Sequence, residues 1–116
     1  MPANIRKILK EFKHGLTNIY GTRFRRMYLF GSYARGDYED GSDLDVLIIL
    51  DSFRYHSTEI DRTADLVSDL SLKYYITVSP MFIRERDWLK GNKPLLRNVK
   101  SEGIKLYERR DRSTVA

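Results

Sequence analysis

Residues 27–50 read MYLFGSYARGDYEDGSDLDVLIIL, two apolar segments separated by a polar loop. The first apolar segment, Met27–Phe30, predicts a short strand. The second, Leu44–Leu50, predicts a strand that is buried on both faces. Residues 31–45 contain five carboxylates, three glycines and an arginine. Acids that repel one another are therefore concentrated directly before and at the start of a predicted central strand. This arrangement needs a physical explanation.

Helices and strands alternate around this segment. Apolar periodicity, β-rich runs and helix-breaking residues predict five further elements. They are a helix ending near Gly21, a helix over residues 57–72, a strand over Tyr74–Val78 stopped by Pro80, a helix from Pro94 to Gly103, and an extended segment over Ile104–Tyr107. This order predicts an α/β (α+β) fold, in which helices pack on a small mixed β-sheet.

Length and composition predict one domain. The chain has 116 residues, of which 41% are hydrophobic and 32% charged. We expect a single domain over residues 1–110 and a frayed tail over residues 111–116, with fraying beginning near Glu108. Lys+Arg 21 against Asp+Glu 16 gives a net charge of +5, which suits an anionic partner but is also common on small domains. The absence of cysteine and of a long apolar run predicts a cytoplasmic protein without membrane association.

Asp43 and Asp45 are separated by one residue at the start of the second strand, so their side chains lie on the same face. At about 6 Å and an effective dielectric constant near 20, the two charges repel by roughly 3 kcal/mol. A hard cation such as Mg²⁺, bound jointly with substrate phosphates, would remove that repulsion. Taken alone, however, an Asp-x-Asp pair is more often a solvated strand end.

Gly31 and Ser32 directly follow the first strand. A glycine allows close backbone approach, and a serine that opens a helix offers a hydroxyl and free N–H groups. Together they suit a phosphate-binding corner, although Gly-Ser is also common in ordinary turns. Arg35 lies about one turn further on, where it could contact a phosphate or form a salt bridge with Asp37 or Glu39.

The combination is far more specific than its parts: an apolar strand, Gly-Ser, ten residues, Asp-x-Asp and a second apolar strand. It resembles the signature of the DNA polymerase β-like nucleotidyltransferase superfamily. More closely, GSYARGDYEDGSDLDVLI is similar to the minimal nucleotidyltransferase (MNT) family. The resemblance covers residues 27–50 in detail and extends to the whole chain through element order, length and the ending NVKSEGIKLYE. It implies the palm core of that superfamily.

The resemblance also implies site residues. Asp43 and Asp45 would hold Mg²⁺ against ATP, while Gly31, Ser32 and Arg35 would bind its phosphates. A nucleophile would attack the α-phosphate and pyrophosphate would leave. The other acids of the segment, Asp37, Glu39 and Asp40, are interpreted as a solvated loop.

One position departs from the family pattern. A third carboxylate on a later strand usually completes such sites, and Ser79 occupies the aligned position in this chain. Its absence puts a second metal ion and the activation of the nucleophile in doubt. Four acids could replace it in space, although each is more often a surface charge: Asp65, Asp69, Glu85 and Asp87.

MNT proteins are commonly paired with a HEPN-domain RNase toxin and act as antitoxins by moving AMP from ATP onto a tyrosine of that toxin. The resemblance therefore implies a protein adenylyltransferase that forms a hetero-oligomer with a HEPN toxin. The small size argues against a template polymerase, and no direct DNA binding is expected. Two alternatives stay open: an antitoxin that neutralises its partner by binding alone, and a small-molecule nucleotidyltransferase subunit of the aminoglycoside type.

Overall fold

The structure, a computed structural model, describes residues 2–110. Six α-helices, four strands and one short 3-10 helix follow one another in that part of the chain. In order they are α1 (Ala3–Tyr20), the 3-10 helix (Gly21–Arg23), β1 (Phe24–Phe30), α2 (Ser32–Arg35), β2 (Leu44–Leu50), α3 (His56–Arg62), α4 (Ala64–Tyr74), β3 (Val78–Arg84), α5 (Glu85–Lys90), α6 (Pro94–Glu102) and β4 (Ile104–Glu108).

The four strands form one mixed sheet in the order β3-β2-β1-β4. β1 runs antiparallel to β2 and to β4, whereas β2 and β3 are parallel. Asp45 is the register partner of Phe30 on one side and of Ser79 on the other. These three residues therefore form one row across the sheet, where β1 ends and where β2 and β3 begin. The predicted fold class is confirmed.

Each face of the sheet packs against its own set of helices. The apolar faces of α1 and α4 cover one side, where they meet Val46 and Ile48 of β2. Residues of α5 and α6 cover the other side, where they meet Leu47 and Ile49. Burial on both faces explains why β2 is a continuous apolar run. Because strand side chains alternate, Asp45 lies on the α6 side of the sheet.

The third strand differs from the sequence prediction. The predicted strand over Tyr74–Val78 is wrong, because Tyr74 ends α4 and β3 runs from Val78 to Arg84. Pro80 does not stop this strand but pairs with Val46 inside it. β3 is an edge strand, with a neighbouring strand on one side only. An edge strand tolerates a proline because the missing N–H group can lie on the side without a neighbour.

Three further boundaries moved. The helix predicted over residues 57–72 is two helices, because the Thr63 hydroxyl donates to the Glu59 carbonyl oxygen (2.9 Å) at their junction. β1 begins at Phe24, three residues before the prediction. Glu108 belongs to β4 and accepts a hydrogen bond from the Lys105 ammonium group, so fraying does not begin there. The predicted frayed tail, residues 111–116, lies outside the described residues.

The remaining predicted elements agree with the structure. α1 ends at Tyr20, α6 runs from Pro94 to Glu102, and β4 follows directly. Among residues 2–110, no helix combines the length and the apolar character that are needed to cross a membrane.

Candidate active site

Gly31 brings the backbone at the end of β1 into contact with Asp45. Its φ of 75° and ψ of −155° lie in a region that is essentially restricted to glycine. A Cβ atom built on Gly31 would lie 2.3 Å from the Asp45 Oδ2 atom. The carboxylate of Asp45 therefore occupies the space that any side chain at position 31 would need. Glycine is required here for its conformation and for its lack of a side chain.

Ser32 begins the single-turn helix α2 directly after Gly31. The Gly31 carbonyl oxygen accepts hydrogen bonds from the N–H groups of Ala34 and Arg35, both at 3.1 Å. The preceding N–H groups of Ser32 and Tyr33 come before this first turn of the helical ladder, and such groups have no intrahelical acceptor. Ser32 opens a helix directly after Gly31, as the sequence predicted, and phosphate binding by this corner stays a prediction.

Arg35 lies at the end of α2, and its Nε atom is 3.2 Å from Asp37 Oδ2. Both side chains of this pair are exposed, and exposed ion pairs contribute only about 0–1 kcal/mol. Arg35 also lines the cavity that contains Asp45. The predicted salt bridge to Asp37 is present. Contact with a phosphate stays a prediction, which a weak exposed pair permits because the guanidinium can turn toward an anion.

The acidic loop between α2 and β2 is exposed from Asp37 to Asp40, as the interpretation of a solvated loop predicted. The rings of Tyr33 and Tyr38 stack with their centroids 4.4 Å apart and connect the loop to α2. The Ser42 hydroxyl accepts a hydrogen bond from the Glu39 N–H group (2.9 Å). The loop is thus ordered by its own contacts while its carboxylates remain in solvent.

Asp43 and Asp45 are the acids of residues 31–45 that lie nearest the sheet. Asp43 is exposed, whereas Asp45 is partly buried. Burial raises the pKa of the Asp45 carboxyl above its ordinary value, the negative charge of Asp43 raises it further, and Arg35 opposes both effects. Within residues 2–110, neither carboxylate forms an ion pair with a Lys or Arg side chain. Asp43 directly precedes β2 and Asp45 is its second residue. Two such neighbouring carboxylates without an ion-pair partner have the chemistry that a hard divalent cation prefers.

Ser79 lies beside Asp45 on the neighbouring strand, in register with it. The position that the resemblance assigns to a third carboxylate is therefore adjacent to Asp45, and this chain has a hydroxyl there. In the described part of the chain, no group of three or more His, Asp or Glu side chains is arranged to hold a metal ion. Any bound cation would take its protein ligands from Asp43 and Asp45 and its remaining ligands from substrate or water.

The four acids weighed as replacements are placed elsewhere. Asp65 and Asp69 belong to α4, which packs on the face of the sheet opposite Asp45. Glu85 follows β3 at the far end of the sheet and pairs with Arg26 (3.2 Å). Asp87 pairs with Arg84 in the same region (3.6 Å). None of the four completes the site.

A cavity of about 430 Å³ opens beside Asp45. It lies between the end of β1, the helix α2 and one side of α6. Its volume is within the range typical of ligand sites. Nine residues line it: Phe30, Gly31, Ser32, Arg35, Asp45, Leu95, Asn98, Val99 and Glu102. The predicted residues Gly31, Ser32, Arg35 and Asp45 therefore meet in one cavity, whereas Asp43 and Ser79 lie outside its lining.

The second wall of this cavity was not predicted. Its four residues, Leu95, Asn98, Val99 and Glu102, follow helical spacing on α6 and form one stripe. The sequence shows the spacing, but it does not show that α6 packs beside the end of β1. That placement depends on tertiary contacts between segments far apart in the chain.

Sequence comparisons identify the family. A profile of the family described as "Nucleotidyltransferase domain" matches residues 5–106. A protein of Methanocaldococcus jannaschii named "putative protein adenylyltransferase MJ0604" is 39% identical over 105 residues, which are 90% of this chain and 99% of that relative. The chain belongs to the nucleotidyltransferase domain family, as the resemblance predicted.

Structural comparisons agree on the fold. A crystal structure of a toxin–antitoxin with AMP-PNP superposes with a TM-score of 0.59 at 18% identity, covering 91% of this chain and 78% of the matched chain. A structure of the tri-AMPylated Shewanella oneidensis HEPN toxin in complex with MNT antitoxin gives a TM-score of 0.58 at 15% identity, covering 95% and 77%. The structural neighbours thus include toxin–antitoxin complexes of the MNT and HEPN type.

Proposed function

We propose that this chain is a protein adenylyltransferase that moves AMP from ATP onto a hydroxyl of a HEPN-domain toxin and thereby acts as its antitoxin. The observation that carries the proposal is the convergence of the Gly31-Ser32 corner with the half-buried carboxylate of Asp45 in one cavity. The adenylyltransferase name of the archaeal relative and the tri-AMPylated toxin of the structural neighbour support the choice of reaction and partner.

In this reaction the acceptor oxygen, most simply that of a tyrosine, forms a bond to the α-phosphorus of ATP. The bond from that phosphorus to the bridging oxygen breaks, pyrophosphate leaves, and the acceptor proton passes to solvent. The N–H groups of Ser32 and Tyr33 and the guanidinium of Arg35 would bind the phosphates. Mg²⁺, held by Asp43 and Asp45, would neutralise charge on the triphosphate.

The openness of the cavity supports a protein acceptor. The cavity beside Asp45 is open and is bounded by the ends of β1 and β2, by the single turn of α2 and by α6. The described residues add no further domain that could enclose a second substrate. A partner protein that presents its own hydroxyl would complete such a site, which fits a hetero-oligomer.

The test compares two labelled substrates. The protein is incubated with its HEPN partner, Mg²⁺ and ATP that carries the label at either the α- or the γ-phosphorus. We expect the α label on the partner and the γ label in released pyrophosphate. The double variant Asp43→Asn/Asp45→Asn should transfer nothing, whereas Asp40→Asn, in the exposed loop, should transfer normally. Transfer of the γ label to the partner would identify a kinase and would contradict the proposal.

A second candidate function is an antitoxin that acts by binding alone. The hydroxyl of Ser79 at the place of a third carboxylate favours it, because no other carboxylate of residues 2–110 takes that place. The same assay separates the two functions. A complex that silences the toxin, carries no label and is unaffected by the Asp43→Asn/Asp45→Asn variant would establish the binding-only antitoxin.

A further inference from the structure

Helix α6 forms a rigid wall of the cavity. Leu96 and Val99 on its inner side are buried, each with 1% exposure, against the sheet. A Cβ atom on Gly103, directly after the helix, would lie 2.5 Å from the Val99 carbonyl oxygen and 3.1 Å from the Leu29 carbonyl oxygen. The absence of a side chain at Gly103 therefore lets the end of α6 lie directly on β1.

A second contact fixes the helix from the other side. The Lys100 ammonium group donates to the Trp88 carbonyl oxygen (2.7 Å) and lies 4.8 Å from the centre of the Trp88 ring. Trp88 belongs to α5 and is itself buried in the core between the sheet and α6. The backbone of α6 is consequently held at a fixed position relative to Asp45, and the exposed side chains of Asn98 and Glu102 start from that fixed helix.

Asn98 and Glu102 are the polar members of that stripe, one helical turn apart. Within residues 2–110, the Glu102 carboxylate forms no ion pair and the side-chain amide of Asn98 forms no hydrogen bond. A carboxylate repels phosphate groups, so Glu102 is unsuited to the triphosphate that the opposite wall would bind. It is well suited to hydroxyl donors, and acidic residues commonly accept hydrogen bonds from ribose hydroxyls in nucleotide sites.

We propose that Asn98 and Glu102 bind the ribose hydroxyls of the nucleotide, so that the cavity selects ribonucleoside over deoxyribonucleoside triphosphates. The two walls then have separate tasks. Ser32 and Arg35 bind the phosphates. The Glu102 carboxylate accepts hydrogen bonds from the ribose hydroxyls, and the Asn98 amide donates or accepts them. The side chain of Leu95, which is partly buried and lines the cavity, covers the sugar between them. This inference rests on the proposed function and extends it to the choice of donor substrate.

The test is a set of equilibrium titrations of the whole chain by calorimetry, in Mg²⁺, with ATP, 2′-deoxyATP, 3′-deoxyATP and inorganic tripolyphosphate. We expect ATP to bind at least about tenfold more tightly than the weaker of the two deoxy nucleotides, as for one hydrogen bond to a charged group. In Glu102→Ala the affinity for ATP should fall to that of this deoxy nucleotide. The affinity for tripolyphosphate should not change.

Two further variants make the test specific. Asn98→Ala should also reduce the preference for ATP, by a few-fold, because its neutral amide makes a weaker hydrogen bond. Ser101→Ala is the matched control: its hydroxyl bonds the Asn98 carbonyl oxygen on the same helix, but the residue does not line the cavity. It should retain the full preference for ATP.

Several results would overturn the inference. Equal binding of ATP and both deoxy nucleotides by the unmodified chain, with tripolyphosphate still bound, would remove the ribose site and leave the phosphate corner intact. A loss in Glu102→Ala that is equal for ATP and both deoxy nucleotides would mean that Glu102 contacts the base instead. Absence of binding for every triphosphate would overturn the proposed function together with this inference.

Discussion

Substitution of Gly31 by alanine tests the contact on which the candidate site is built. The new Cβ atom would lie 2.3 Å from Asp45 Oδ2, and real Cβ atoms do not approach closer than 3.0 Å. The carboxylate must therefore move by at least the difference, 3.0 − 2.3 = 0.7 Å. Misplacement of a reacting group by about 1 Å can cost about a hundredfold in rate, and we expect a loss of AMP transfer of that order. The strained backbone adds a stability cost of about 1–3 kcal/mol.

Gly36→Ala provides the matched control. Gly36 also has a positive φ (85°), but a Cβ atom there would meet nothing within 4 Å. This variant should lose about 1 kcal/mol of stability and keep its transfer activity. Urea unfolding measures the free energy of unfolding of both variants, and label transfer to the HEPN partner measures activity. If Gly31→Ala, shown to be folded, transfers AMP within a few-fold of Gly36→Ala, the contact between Gly31 and Asp45 is not part of the active site.

Three more predictions concern single residues. In metal-free buffer, Asp45→Asn should be about 1 kcal/mol more stable than the unmodified chain at pH 7, because ionised Asp45 is partly buried near Asp43. The pKa of Asp45 is raised in the folded state, so this difference in stability should shrink as the pH falls through that pKa toward the ordinary value of 3.8. Thermal unfolding at several pH values checks the stability difference and its pH dependence. A variant less stable than the unmodified chain at pH 7 would contradict the reasoning. Ser79→Asp places a carboxylate in register with Asp45, so calorimetry should show that this variant binds a divalent cation about tenfold more tightly than the unmodified chain does. Unchanged binding would mean that position 79 does not face the cation. Tyr75 is 96% exposed and has a φ of 54°, so Tyr75→Gly should gain about 1 kcal/mol and raise the Tm by about 4 °C; a fall in Tm would show that the ring stabilises the fold.

The local half of the site could be predicted from the sequence. Gly31, Ser32, Asp43 and Asp45 lie within a few residues of two apolar strands. Alternation along β2 places Asp45 on the cavity side, whereas Asp43 precedes the strand and does not line the cavity. The structure brings the ends of these strands together through the antiparallel pairing of Phe30 with Asp45. Short-range patterns were sufficient because every one of these residues is positioned by its own strand or by the adjacent turn.

The distant half of the site could not be predicted. Asn98 and Glu102 lie more than fifty residues after Asp45 in the sequence, and only the packing of α6 on β1 places them in the same cavity. The predicted bounds of the third strand were wrong for a related reason. Whether a strand tolerates Pro80 depends on its place at the edge of the sheet, which the sequence of the strand does not show.

The most direct test of the account is the intact mass of the proposed HEPN partner after co-expression with this chain. The account predicts one or more additions of the mass of AMP on the partner. It predicts no addition when the co-expressed chain carries Asp43→Asn/Asp45→Asn, although the complex should still form. A partner that is silenced in complex with the unmodified chain but has an unmodified mass would contradict the account.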